Sequence, residues 1–391
     1  AMPVITNIED LRILAEPRVP RVFYDYADSG SWSEQTYRAN TTDFAKIRLR
    51  QKVAVNMEGR STASTMVGQD VAMPVALAPC GLTGMQHADG EIHAARAAEK
   101  FGVPFTLSTM SICSIADVAA ATKNPFRFQI YVLRARDFAE ALIDRAKAAG
   151  CSALVLTLDL QLLGQRHKDV KNGLGAPPKM TARNILNMAW KWRWLNGMAG
   201  TKKRTFRNIV GHAKGVTNMG TLSDWTHAQF DQSLTWEDFD WIRERWGGTF
   251  IIKGILDADD ARRAVDKGAD AIIVSNHGGR QLDGALSSLA MLETCVKAVG
   301  DQAEVHFDSG IRSGQDVLKA LALGAQGTYI GRAYLYGLGA MGEAGVTQAL
   351  EIIHKELDTT MGLCGRRKVG DLSRENLLFP ADIPAPFRGG D

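Results

Sequence analysis

Eight short apolar runs, each followed by an amphipathic helical stretch, constrain this 391-residue chain more than any other feature. They read MPVALAP (73–79), PFTLST (104–109), FRFQIYV (126–132), ALVLTLD (153–159), FIIKGI (250–255), AIIVSN (271–276), EVHFDS (304–309) and GTYIGR (327–332). Unbroken apolar runs suit strands buried on both faces, and therefore a parallel sheet. The intervening segments, such as RDFAEALIDRAKAAG, DADDARRAVDKGAD and SGQDVLKALALGA, begin with acidic residues or Ser and stop at Gly, as helices do. Strand starts recur every 21 to 33 residues, except that 97 residues separate the fourth from the fifth. The pattern predicts a TIM (β/α)8 barrel with an N-terminal helical extension and a long insertion after strand 4. A doubly wound sheet is the competing architecture; eight regular units, and no GxGxxG after the first strand, count against it.

The expected organisation is one domain over 1–391, with the barrel at about 73–365, a basic aromatic insert at about 170–223 and an extended tail at about 380–391. No apolar run approaches the length of a membrane-spanning helix, and no secretory leader is read at the start. Five scattered cysteines, with no CxxC and no metal-like spacing, predict neither disulfides nor a metal site.

Catalytic groups in such barrels gather at the carboxyl ends of the strands. Those ends supply Ser108, Gln129, Tyr131, Thr157, Asp159, Lys253, Ser275, His277, Asp308 and Arg332. Polar residues also end strands simply because loops begin there, so Ser108 or Thr157 alone says little. Lys253 says more, because a buried ammonium is costly unless paired. After strands seven and eight, DSGIRSG and IGR place glycines, an arginine and a helix start where this architecture holds phosphate. In SNHGGRQLD (275–283), His277 and Arg280 offer a base and an anion clamp within reach of one small molecule.

These motifs, together with YDYADSG near the start, LTLD at 156–159 and IKGI at 252–255, resemble the FMN-dependent α-hydroxy acid oxidases and dehydrogenases. The resemblance spans nearly the whole chain. LSTMSICS, RAKAAGCS, KGILDADDA and SNHGGRQLDGALSS are most similar to the bacterial membrane-associated L-lactate dehydrogenase type, which is quinone- or cytochrome-linked. The resemblance implies FMN as cofactor and oxidation of a small (S)-2-hydroxy acid, L-lactate first, with an oxygen-using oxidase or (S)-mandelate dehydrogenase as alternatives. It makes His277 the general base, with Asp159 facing it. Arg280 and Tyr26 hold the substrate carboxylate, Arg166 is a second cation, and Tyr131 bonds the substrate oxygen. Lys253 stabilises reduced flavin. Pro79, Cys80, Gly81, Ser108, Gln129, Thr157 and Ser275 contact the ring system; Asp308, Ser309, Gly310, Arg312, Gly331 and Arg332 hold the ribityl phosphate. It further implies a homotetramer, either peripheral on the cytoplasmic side of the inner membrane or cytoplasmic. Two positions depart from the common pattern: no proline follows Asp159, and Gly81 stands where many oxidases have alanine, which leans towards a dehydrogenase.

Charge is uneven. Ten of the 46 basic residues and no acidic one lie between Val170 and Ser223. Within 181–208, Thr181 is a candidate N-cap, and Ile185, Met188, Ala189, Trp192 and Leu195 recur at helical spacing. Trp190, Trp192 and Trp194 interleave with Lys191 and Arg193, and Lys202, Lys203 and Arg204 follow. That composition predicts an interfacial helix on an anionic membrane surface; the competing reading packs the tryptophans on the barrel. Nothing else points to nucleic acid. Outside the resemblance, a barrel lyase using Lys253 as a Schiff base and a non-catalytic membrane adaptor are the other readings.

Overall fold

The computed structural model describes residues 3–174, 179–217, 225–226, 228–230 and 232–383. The eight apolar runs form eight parallel strands: β1 (Val75–Leu77), β2 (Thr106–Leu107), β3 (Arg127–Tyr131), β4 (Ala153–Thr157), β5 (Phe250–Ile255), β6 (Ala271–Val274), β7 (Glu304–Phe307) and β8 (Gly327–Ile330). β8 pairs with β1, and the ring closes between β1 and β2 through a bridge from Leu77 to Phe105. This is a TIM barrel.

Alternation decides the two cores. Ala76, Val155, Ile251, Ile273 and Tyr329 point inward and fill the cylinder, while the other strand faces pack under the helices. A hairpin of Ser64–Met66 and Gln69–Val71 plugs the N-terminal end, with Met66 in the inner cluster. The expected caps are present: Asp257 caps Ala258–Asp266, Ser287 caps Ser288–Val299 and Ser313 caps Gly314–Ala322. Before the barrel, helices Ile8–Ala15, Arg21–Ala27 and Gln35–Ala45 form the extension. The first packs on helix Arg332–Met341 and the third on the loop at His277–Gly279.

The insert differs from its periodicity. Two helices, Ala182–Ala189 and Trp192–Gly200, replace one, because the chain bends at Lys191, whose ammonium donates to the Pro17 carbonyl at 2.7 Å. Thr181 does cap the first, accepting from Asn184 N at 3.2 Å. The tryptophans split between the two readings. Trp194 turns inward, stacked on Phe23 and donating to the Met85 carbonyl at 2.8 Å, whereas Trp190 is 82% and Trp192 62% exposed. Some of the basic charge is also spent on the barrel, in ion pairs Lys203–Asp89, Arg207–Asp117 and Lys214–Asp137. Among the described residues no helix is long and apolar enough to cross a membrane. Residues 175–178, 218–224 and the tail beyond 383 lie outside the described residues.

Candidate active site

A cavity of about 820 Å³ opens at the carboxyl ends of the strands, within the size range of small-molecule and cofactor sites. His277 lines it from the loop after β6. Its backbone is left-handed (φ 58°), rare for a non-glycine residue and held here by Ser275 Oγ accepting from His277 N at 3.1 Å. The Nδ1 atom lies 2.9 Å from Asp159 Oδ1 at the end of β4, which leaves Nε2 for the cavity. Burial holds the His277 ring below the usual histidine range, Asp159 opposing it. Burial pushes Asp159 up, but His277 and Lys253 outweigh it and hold the carboxylate ionised. Burial thus favours the neutral ring, and Asp159 favours the imidazolium once a proton arrives. Asp159 is itself fixed from behind by the β5 bulge: a Cβ on Gly254 (φ 102°) would come 2.8 Å from Asp159 Cβ.

Arg280, three residues beyond His277, lies with Cζ 4.7 Å over the Tyr26 ring. Nη1 donates to the carbonyls of Tyr26 and Ser29. Among the described residues Nη2 is buried with no partner. Arg166 stands next to it, donating to the Arg280 carbonyl at 3.3 Å. Burial pushes the Tyr131 phenol up, so the hydroxyl keeps its proton and can donate. A strong anion site with a phenol beside it therefore faces the His277–Asp159 pair.

Lys253, expected to need a counter-ion, has one. Its ammonium lies 3.4 Å from Asp308 Oδ2 and donates to Ser275 Oγ at 3.2 Å, and Ser275 bonds Asp308 at 2.6 Å. Burial would lower its pKa, but Asp308 and Asp159 together raise it. A Lys253 held protonated is in the wrong state for Schiff-base chemistry. Gln129 sits below, donating to Thr157 Oγ1 at 3.1 Å and accepting from Ser108 at 3.3 Å.

On the far side, Arg332 opens helix Arg332–Met341 and lies with Cζ 4.7 Å over Tyr37. Its Nε and Nη2 donate to Ala27 and Ser29 carbonyls at 2.8 and 2.7 Å. Ser309 (φ 91°) and Gly310 (φ 106°) turn the backbone tightly, and a Cβ on Gly310 would lie 2.0 Å from the Asn40 carbonyl oxygen. With Gly331 and Arg312 they form a cationic, glycine-lined cradle at a helix start.

Of the expected residues, Tyr26, Pro79, Cys80, Gly81, Tyr131, Arg166, Lys253, His277, Arg280 and the whole phosphate set from Asp308 to Arg332 line the cavity. Ser108, Gln129, Thr157, Ser275 and Asp159 sit one layer behind, as supports. Three features were given no role from the sequence, although Asp169 keeps the family spacing with Asp159, Gly164 and Arg166. Asp169, buried with Oδ1 unpartnered, shares the anion corner with Arg166 and Arg280. Asp28, in the quoted YDYADSG stretch, accepts from Tyr37 and Tyr336 at 2.7 Å each and knits the extension to the phosphate end. Finally, Met180, Phe206 and Ile209 of the insert wall the cavity with apolar surface. Asp28 and Asp169 stood in recognisable motifs; the apolar wall did not.

A barrel whose mouth joins a histidine–carboxylate pair, a buried arginine for an anion, a paired lysine and a phosphate cradle defines a cofactor-dependent oxidoreductase acting on a small carboxylate. The FMN-dependent dehydrogenase model matches residues 15–378, and the chain belongs to that family. It is 45% identical over 372 residues to an L-lactate dehydrogenase of Caulobacter vibrioides, covering 95% of this chain and 97% of that one. An L-lactate dehydrogenase of Actinobacillus pleuropneumoniae is 44% identical over 376 residues, covering 96% and 98%. The solved structure of a monotopic membrane (S)-mandelate dehydrogenase superposes with a TM-score of 0.91 at 36% identity, covering 96% and 100%. The protein is an FMN-dependent enzyme that oxidises 2-hydroxy acids.

The residues present fit FMN: the cavity is large enough, and Arg280 Nη2 and Asp169 Oδ1 are buried polar atoms at its edge without partners among the described residues.

Proposed function

We propose that this chain oxidises L-lactate to pyruvate and hands the electrons to a quinone or cytochrome at a membrane. FMN, when bound, would supply the two-electron acceptor for the substrate's α C–H bond. Everything else is asked of this chain's own side chains. Arg280, with Tyr26 and Arg166 beside it, grips the carboxylate and so fixes the α-carbon. Tyr131 donates to the substrate oxygen. Neutral His277 takes a proton at Nε2, and Asp159 stabilises the imidazolium that results. Lys253 supplies positive charge where negative charge builds on reduction. Pro79, Cys80 and Gly81 flank the ring system, backed by Ser108, Gln129, Thr157 and Ser275. Asp308, Ser309, Gly310, Arg312, Gly331 and Arg332 cradle the phosphate.

The observation that carries the reading is the 2.9 Å His277–Asp159 contact on the same cavity as the unpartnered arm of Arg280. Lactate added without oxygen should bleach the yellow protein; a loaded enzyme that lactate leaves yellow would falsify the substrate. The mandelate neighbour and the apolar wall of Met180, Phe206 and Ile209 favour a second reading, a bulkier 2-hydroxy acid such as (S)-mandelate. Bleaching rates across a substrate panel rank the two. Comparing oxygen uptake with reduction of a quinone analogue separates a dehydrogenase from an oxidase.

The membrane reading rests on Ile185, Leu186, Trp190 and Trp192, exposed together on the insert beside Arg183, Arg193 and Lys202. With it goes a peripheral position on the cytoplasmic side of the inner membrane, as a homotetramer. Pelleting with anionic vesicles and the mass in solution test both.

A further inference from the structure

The closed end of the barrel holds a charge that the proposed chemistry does not use. Arg127 opens β3 and is fully buried. Alternation points it the same way as Gln129, into the cylinder and about 7 Å below it. Its Nη1 donates to Tyr329 Oη at 2.7 Å. The Tyr329 oxygen lies 3.2 Å from His306 Nδ1, and His306 Nε2 lies 2.7 Å from Glu304 Oε2. A carboxylate only accepts, so Nε2 carries the ring proton, Nδ1 accepts from the phenol, and the phenol accepts from Arg127. Burial keeps His306 neutral. Glu304 is committed to His306 and to Val67 N at 2.9 Å.

Among the described residues Arg127 thus makes no ion pair, Glu304 acting on it only at a distance, and its Nε and Nη2 have no hydrogen-bond partner. A buried cation without a carboxylate in contact is costly. The cost falls when negative charge forms nearby. Tyr329, which Arg127 holds, is part of the cavity floor together with Lys253 and Asp308. Neither salt nor bulk water screens a charge so placed.

We propose that Arg127 is a remote positioning cation: acting through the Tyr329 floor, it raises the reduction potential of the bound flavin, and Glu304 moderates it. The inference rests on the flavin lying at this cavity, as proposed above. A cofactor that gains electrons gains negative charge, so the Arg127 field favours the reduced state over the oxidised one. Lys253 would act at contact distance; Arg127 acts across one layer of side chains.

The test is the midpoint potential of FMN-loaded wild-type, Arg127→Met and Glu304→Gln proteins, equilibrated with a reference dye. Arg127→Met should shift the reduced-to-oxidised ratio about tenfold towards oxidised, roughly 30 mV for a two-electron couple. Glu304→Gln should shift it the opposite way, which general damage to the fold would not do. An unchanged potential in Arg127→Met, or shifts of the same sign in both variants, overturns the proposal and leaves Arg127 structural. If Arg127→Met does not load flavin, Glu304→Gln decides, and the absence of an upward shift overturns the proposal. A wild type that takes up no FMN brings down the oxidoreductase reading as well; a loaded wild type with unshifted variants strikes this inference alone.

Discussion

His277 Nδ1 and Asp159 Oδ1 are 2.9 Å apart, although 118 positions separate them in the chain. The contact fixes the histidine tautomer and leaves one nitrogen for the cavity. Replacing the base by His277→Gln should slow anaerobic flavin bleaching about 10²- to 10⁴-fold, the usual worth of a general base. FMN content should not change. Stopped-flow absorbance measures the first and the visible spectrum the second.

The pH profile follows from the direction of the shift. Burial holds His277 below its ordinary value, so the ring is neutral near neutrality. The proton-accepting form is then lost on the acid side, below about pH 6.5, as pH falls through the lowered value. Asp159 works against burial and raises the His277 value. Asp159→Asn should therefore slow reduction and move the acid limb of kcat/KM to lower pH. A limb that moves upward would contradict the electrostatics described here.

Arg280 offers its free Nη2 to an anion inside a buried corner. Arg280→Met removes a charge-assisted contact worth about 1.5–3 kcal/mol, so kcat/KM should fall roughly ten- to a hundredfold or more. Binding of a non-oxidisable carboxylate, read from the flavin spectrum, should weaken in parallel.

Gly254 gives the bulge behind Asp159 its shape. In Gly254→Ala the φ of 102° and a contact of 2.8 Å to Asp159 Cβ cannot both be kept. The strain should cost about 1–3 kcal/mol of stability, read as a lower melting temperature, and flavin reduction should slow with it.

Trp190 and Trp192 stand outside the packed body, while Trp194 does not. Trp190→Ser with Trp192→Ser should abolish pelleting with anionic vesicles and leave lactate oxidation with a water-soluble acceptor unchanged. Trp194→Ser should instead lower stability, because it removes the stack on Phe23 and the bond to the Met85 carbonyl.

The barrel and the residues at its mouth were legible because their signals are local. A continuous apolar run of β-branched residues followed by a capped amphipathic helix specifies a βα unit within about thirty residues. Strand ends then fix which polar residues share the mouth, so His277, Lys253, Asp308 and Arg332 followed from register. Partners were less legible. Nothing adjacent in sequence announced that Lys203 would pair with Asp89 or that three tryptophans at alternate positions would divide between core and solvent. Nor did it show Asp28 gathering the hydroxyls of Tyr37 and Tyr336.

By itself, the sequence determined eight strands, their parallel sense, their order and the residues carried to one end of the cylinder, because periodicity of two and of 3.6 acts over a few residues. Tertiary structure alone decided the charge states: how burial and Asp159 together set His277, which counter-ion Lys253 finds, and that Arg127 finds none among the described residues. Those depend on distance and burial among groups tens to a hundred or more positions apart, where desolvation and Coulomb energy, rather than local propensity, choose the outcome.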